Sequence, residues 1–186
     1  YVHIPFCAHV CYYCACNKVV TKDRGRAQPY LDKLLREIEI IGRHLNRDQV
    51  VEQLHFGGGT PTFLSHDELR QLMTQLRQHF NLLDDDSGDY SIEIDPREAD
   101  WSTMGLLREL GFNRVSLGVQ DLEPAVQRAI NRLQTLEETR AIVEAARTLQ
   151  FRSINIDLIY GLPLQTPERF ARTVAEVIAL QPDRLS

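Results

Sequence analysis

Apolar positions along the chain switch between a period of two and a period near 3.6, the spacings of a half-buried strand and of an amphipathic helix. The period-two runs predict strands over 1–5, 51–56, 90–95, 114–120 and 153–160, with a further strand starting at Arg184. The intervals between them carry helix signals. Pro29 suits a first turn ahead of Tyr30, Leu31, Leu34, Leu35, Ile38 and Ile41. Ser65 with Glu68 and Thr135 with Glu138 have the spacing of capping boxes. The first precedes Leu69, Leu72, Met73, Leu76 and Phe80, and the second precedes Ile142, Val143, Ala146 and Leu149. Thr166-Pro167 opens a last helix bearing Phe170, Val174 and Val177.

Strand and helix in alternation predict right-handed crossovers and a parallel sheet. Within the strands, Ser91, Glu93 and Asp95 alternate with Tyr90, Ile92 and Ile94, and Ser116, Gly118 and Gln120 alternate with Val115, Leu117 and Val119. Asn155 and Asp157 continue the pattern in the following strand. Each polar set falls on one face, although parallel sheets are normally covered on both. A curved sheet resolves the conflict, with helices on its convex side and a polar concave side. The expected fold is therefore α/β, a partial or open parallel (β/α) barrel of about five to six βα units that resembles a TIM barrel but is lined for a ligand. The acidic run 84–89 is expected to be a solvated turn.

With 186 residues the chain is expected to form one domain, 1–186. A net charge of -5, from 21 Lys and Arg against 26 Asp and Glu, argues against nucleic acid or an anionic membrane as partner. No apolar run reaches the roughly 20 residues of a membrane span, so a soluble, cytoplasmic protein is expected. The chain opens directly on a strand pattern and ends where another strand starts, which reads as an excerpt of a longer protein.

Composition changes the picture most at the cysteines. All 4 lie between Cys7 and Cys16, spaced C-x3-C-x2-C over Cys7, Cys11 and Cys14, with Cys16 following. A disulfide framework would spread its cysteines to close loops. A structural zinc site usually takes two separated C-x-x-C pairs, and no second pair follows here. Three thiolates on one short loop can instead wrap one face of a cubane iron-sulfur cluster and leave the fourth iron without a protein ligand. Cys16 is too close to Cys14 for easy ligation of the same cubane and reads as a supporting or packing residue. After the second strand, Gly57, Gly58 and Gly59 precede Thr60-Pro61, so backbone groups there can approach a ligand closely. The loop lacks the G-K-[ST] ending of a phosphate loop.

C-x3-C-x-(aromatic)-C, with Tyr13 as the aromatic residue, resembles the signature of the radical S-adenosylmethionine (SAM) superfamily. The glycine run resembles that superfamily's SAM-binding glycine motif, with Thr60 in place of its usual glutamate. "YVHIPFC", "YYCACNK", "LHFGGGTPT", "SIEIDPRE", "GFNRVSLGVQD" and "NIDLIYGLP" further resemble the oxygen-independent coproporphyrinogen III oxidases, also called coproporphyrinogen dehydrogenases, along essentially the whole chain. Haem-chaperone homologues share much of this pattern and bind haem without decarboxylation; Cys16 followed by Asn17-Lys18 is typical of the oxidases.

This resemblance implies that Cys7, Cys11 and Cys14 hold a 4Fe-4S cluster and that Tyr1, Tyr13, Gly58 and Glu93 contact the SAM bound to it. It implies a second SAM at Gly59, Thr60, Gln120, Arg132 and Asp157. The implied reaction converts two propionates of coproporphyrinogen III to vinyl groups, giving protoporphyrinogen IX in anaerobic haem biosynthesis. A reduced cluster cleaves SAM to methionine and a 5′-deoxyadenosyl radical, which takes a hydrogen atom from the propionate β-carbon; loss of CO2 and one electron leaves the vinyl group. A low-potential electron donor and a monomeric enzyme are implied as well. His3 and His55 read as hydrogen-bonded structural residues, and Lys18, Lys22, Arg24 and Arg26 as a solvated basic loop. Replacing Cys7, Cys11 or Cys14 by Ala is expected to abolish a reconstituted cluster, whereas Cys16→Ala should leave most of it. Iron and sulfide analysis checks this, and loss of the cluster in Cys16→Ala would overturn the supporting role.

Overall fold

The computed structural model describes residues 1–186 and contains a six-stranded sheet whose strands are Val2–Ile4 (β1), Gln53–Gly58 (β2), Asp89–Ile94 (β3), Arg114–Gln120 (β4), Ser153–Leu158 (β5) and Arg184–Leu185 (β6). Every neighbouring pair is parallel, and the order across the sheet is the order along the chain. Winding in one direction with right-handed crossovers places all connections on the same face. β1 and β6 do not pair with each other, so the barrel is open.

The helices are Ala27–Gly42 (α1), His66–His79 (α2), Trp101–Glu109 (α3), Pro124–Ala129 (α4), Leu136–Thr148 (α5) and Pro167–Ala179 (α6). Both capping boxes form, at Ser65/Glu68 and Thr135/Glu138, and Thr166 accepts from the Arg169 amide at the start of α6. Each such cap contributes about 1 kcal/mol by satisfying orphan amides. Two helices had no counterpart in the periodicity. α3 starts at Asp100, whose carboxylate accepts from the Thr103 amide at 2.8 Å, and α4 starts with Pro124 at a position where a missing N–H costs nothing.

Alternation within the strands puts Ile4, Phe56, Ile92, Leu117 and Ile156 on the convex face, all fully buried. They pack on Leu31, Leu69, Leu72, Met104, Leu107, Ala145 and Ala146 from the helices, in one cluster of 32 buried residues. No helix is long and apolar enough to cross a membrane.

Strand limits differ from the periodicity for local reasons. β1 stops at Ile4 because Pro5 cannot donate to a ladder. β2 begins at Gln53 and runs into the glycines, while Val50–Val51 pairs separately with Asn81–Leu82. β5 ends at Leu158, and Tyr160 beyond it is exposed. The acidic run is an anchored loop and not a free turn. Asp86, at φ 64°, receives both terminal nitrogens of Arg108 at 3.1 and 2.9 Å, and Asp89 receives Arg114 Nε at 2.9 Å. Buried Asn113 ties this loop down: its amide donates to Asp86 Oδ1 at 3.0 Å and Gly88 O at 2.7 Å, while its Oδ1 accepts from the Tyr90 amide at 3.1 Å. Asn113→Ala is expected to destabilise the fold by about 2–3 kcal/mol, the scale of stranding several buried groups, as measured by urea unfolding.

Candidate active site

In a parallel sheet all strands end at the same edge, and each of the first five strands delivers a polar group or a loop there. The exit from β1 is the cysteine loop. Phe6 anchors its start, stacked on Phe63 at 5.1 Å and edge-on to Tyr30 at 5.5 Å. Phe6–Cys7 pairs with Val19–Val20, so the loop closes on itself. Its far side is fastened from the end of α4, where Ile130 O accepts from the Tyr12 amide at 3.0 Å and Asn131 donates to Val10 O at 2.8 Å. Lys18 donates to Cys14 O at 2.7 Å.

The exit from β2 is the glycine loop, hydrogen-bonded side by side to the cysteine loop. Gly59 N donates to Ile4 O and Thr60 N to Phe6 O, both at 2.8 Å. Gly58 has φ +119°, a region open to glycine, and a Cβ on Gly59 would lie 2.6 Å from Phe6 O and 2.9 Å from Cys7 Sγ. Only a bare backbone permits this approach. Thr60 places its hydroxyl 3.8 Å from Cys7 Sγ.

β3 contributes Glu93 and, just past its end, Asp95. Glu93 accepts from Gly58 N at 3.1 Å and contacts His55 Nε2 at 3.2 Å, and His55 Nδ1 is hydrogen-bonded to Ser91 Oγ at 2.6 Å. His55 therefore orients Glu93, and His3 is similarly held between the Tyr1 hydroxyl and Asn17 O. From β4 and β5, Ser116 Oγ donates to Asp157 Oδ2 at 2.8 Å and Asn155 Nδ2 to Asp157 Oδ1 at 2.7 Å. Gln120 closes β4 at φ 68°, beside a register shift after Gly118.

One cavity of about 170 Å³ gathers these groups. Cys7, Cys11 and Cys14 line it with Tyr13, Gly58, Gly59, Thr60, Glu93, Gln120, Arg132 and Asp157. Tyr1 is not in the lining. It stands 75% exposed, stacked on His55 at 5.7 Å, and lines a separate cavity with His3, Tyr30 and Leu34. Cys16 lines the cavity as an exposed residue, so it is not a packing residue. Within the basic run Arg24 is structural, with its guanidinium 4.3 Å over the Phe63 ring and donating to Glu98 at 2.6 Å.

Arg97 was not legible as a site residue, Asp95 was legible only as part of the polar face that includes Ser91 and Glu93, and Arg132 is not the solvated helix-end charge that its position after α4 suggests. Asp95 accepts from Arg97 Nη2 at 2.6 Å and from Arg132 Nη1 at 3.0 Å; Arg132 also donates to Gly118 O and lies 3.5 Å from Cys11 Sγ. Burial alone would raise the Asp95 pKa, but the hydrogen bond from Arg97 and the charges of Arg132 and Arg97 outweigh it and hold the carboxyl below its usual range. Its contribution to stability is thus present above the unfolded value of about 3.9 and is lost as pH falls through the lower folded value.

The cysteines are all free thiols. Burial pushes the Cys7 thiol up, the Thr60 hydroxyl partly offsets this, and the neighbouring Cys14 and Cys11 push it up further. Three thiolates this close need a cationic centre to offset their repulsion. No three His, Cys, Asp or Glu side chains converge tightly enough to hold a single ion. Cys7, Cys11 and Cys14 all line the cavity, and an all-thiolate donor set of this kind fits a cubane whose irons each take one sulfur.

A sequence profile of the radical SAM superfamily matches residues 1–177. An oxygen-independent coproporphyrinogen III oxidase of Pseudomonas aeruginosa is 81% identical over 186 residues, which are 100% of this chain and 40% of that protein. The protein of the same name from Escherichia coli K12 is 50% identical over 191 residues, with the same shares. The chain thus spans about 40% of the length of these curated relatives. Among solved structures, coproporphyrinogen III oxidase from Escherichia coli, described as a radical SAM enzyme, superposes with a TM-score of 0.95 at 49% identity, covering 100% of this chain and 42% of that one. A radical SAM methyltransferase from Kitasatospora setae, solved with cobalamin and a 4Fe-4S cluster, has a TM-score of 0.65 at 15% identity over 99% of this chain and 35% of its own, a likeness of fold. Gly59→Ala is expected to displace the cysteine loop and remove most of the iron taken up on reconstitution. Gly105→Ala, where an added Cβ meets nothing within 4 Å, should load as the unmodified chain does.

Proposed function

The chain belongs to the radical SAM superfamily, and we propose that it is the cluster- and SAM-binding part of an oxidase that converts two propionates of coproporphyrinogen III to vinyl groups. One observation carries this reading: the C-x3-C-x2-C thiols, the glycine loop and the polar ends of β3, β4 and β5 line the same cavity. The 81% identity to a curated oxidase supports the choice of reaction.

Cys7, Cys11 and Cys14 would hold a 4Fe-4S cluster. When bound, the cluster and SAM supply one-electron chemistry able to remove a hydrogen atom from an unactivated carbon. The protein's own task is to bind, orient and exclude water. Gly58 and Glu93 would receive the amino and ribose groups of the SAM next to the cluster, with Tyr13 and Tyr1 against it. A carboxylate that already accepts from Gly58 N keeps capacity for further donors, since each oxygen has two lone pairs. A second SAM would meet Gly59, Thr60, Gln120, Arg132 and Asp157. Arg132 suits a carboxylate because its guanidinium presents paired donors.

The reading extends to a monomeric, cytoplasmic enzyme supplied by a low-potential electron donor. Anaerobic reconstitution followed by electron paramagnetic resonance of the reduced protein tests it. A cubane signal that changes when SAM is added is the expected result. The full-length protein should then release CO2 from coproporphyrinogen III and form protoporphyrinogen IX. A cluster indifferent to SAM, zinc in place of iron, or haem binding without decarboxylation would overturn the proposal.

A further inference from the structure

Positive charge around the cysteine loop is unevenly distributed. Cys7 Sγ has the neutral Thr60 hydroxyl at 3.8 Å, and the Lys18 ammonium donates to the Cys14 backbone carbonyl at 2.7 Å and not to a sulfur. Cys11 Sγ alone has guanidinium nitrogens beside it, Arg132 Nη1 at 3.5 Å and Arg97 Nη2 at 4.0 Å. Asp95 holds both in place. Its Oδ1 accepts from the Arg97 amide at 3.1 Å and from Arg97 Nε at 2.9 Å, and its Oδ2 is shared between Arg97 Nη2 and Arg132 Nη1. The three side chains are 10%, 15% and 7% exposed for Asp95, Arg97 and Arg132. Two guanidinium groups against one carboxylate leave an excess positive charge in a poorly solvated wall.

Such a charge acts on a redox centre. Adding an electron to a cluster held by three thiolates increases negative charge at its sulfurs, and a nearby cation in low dielectric favours that reduced state. Arg132 has competing engagements with Gly118 O and, on the reading above, with SAM. Arg97 has none beyond Asp95 and Cys11. We propose that Arg97, clamped by Asp95, is a positioning residue that raises the reduction potential of the cluster through the Cys11 sulfur. This rests on Cys11 being a cluster ligand, as in the proposed function.

The test is a redox titration, without SAM, of the reconstituted chain and of Arg97→Gln, Arg97→Lys and Arg140→Gln, the last removing an exposed arginine on α5. Iron content is measured alongside, and the paramagnetic signal of the reduced cluster reports the potential. Arg97→Gln is expected to shift the reduction equilibrium about tenfold toward the oxidised cluster, 59 mV for one electron, with iron content unchanged. Arg97→Lys, which keeps the charge, should recover most of the shift, and Arg140→Gln should show none. A normal potential in Arg97→Gln, an equal shift in Arg97→Lys or Arg140→Gln, or loss of iron from Arg97→Gln alone would overturn the proposal. An unmodified chain that binds no cluster would instead overturn the reading of function.

Discussion

The hydrogen-bonded seam between the first two strand exits governs the rest of the site. Gly59 N to Ile4 O and Thr60 N to Phe6 O extend the β1–β2 ladder beyond the strands themselves, so the cysteine loop and the glycine loop leave the sheet as neighbours. The seam tolerates no side chain at Gly59. Three consequences follow from it: the Cys7 sulfur faces the cavity beside Thr60, the Gly58 amide faces Glu93, and the loop's far side reaches the end of α4. The convex core lies behind this seam, and its close packing makes the strand ends a rigid platform.

The cavity's acids differ in what holds them, and so in what they can still accept. Asp95 is saturated by two arginines, with a side chain only 10% exposed. Glu93 has only a backbone amide and a histidine, with a side chain 43% exposed. Asp157 is fixed by neutral donors, Ser116 and Asn155, without a cation. A carboxylate held by neutral groups retains its charge for a ligand, whereas one held by guanidinium groups has given it up. The cavity lining thus divides into an acidic side with free accepting capacity, at Glu93 and Asp157, and an ion cluster of Asp95, Arg97 and Arg132 beside Cys11.

Much of this was legible along the chain because it depends on local spacing. Period-two alternation identified the sheet's polar face down to Glu93 and Asp157, capping boxes marked where α2 and α5 begin, and the cysteine and glycine spacings marked the chemistry. Short helices were not legible, since α4 is 6 residues long and supports too few turns to show a period. The acidic run at 84–89 looked like a solvated turn because its partners, Arg108, Asn113 and Arg114, come from α3, from the start of β4 and from the turn between them.

The sequence by itself determined the order of the strands and of the four longer helices, the parallel winding that follows from it, and the thiol and glycine loops placed just after the first two strands. Only the tertiary structure decided that Asp95, Arg97 and Arg132 form one largely buried cluster beside Cys11, or that Tyr1 lies outside the cavity lining. The physical reason is range. Periodicity and capping act over one or two turns of backbone, whereas Arg132 meets Asp95 across 37 residues and Cys11 across 121. Pairing at such separations is set by where the wound sheet returns the end of α4.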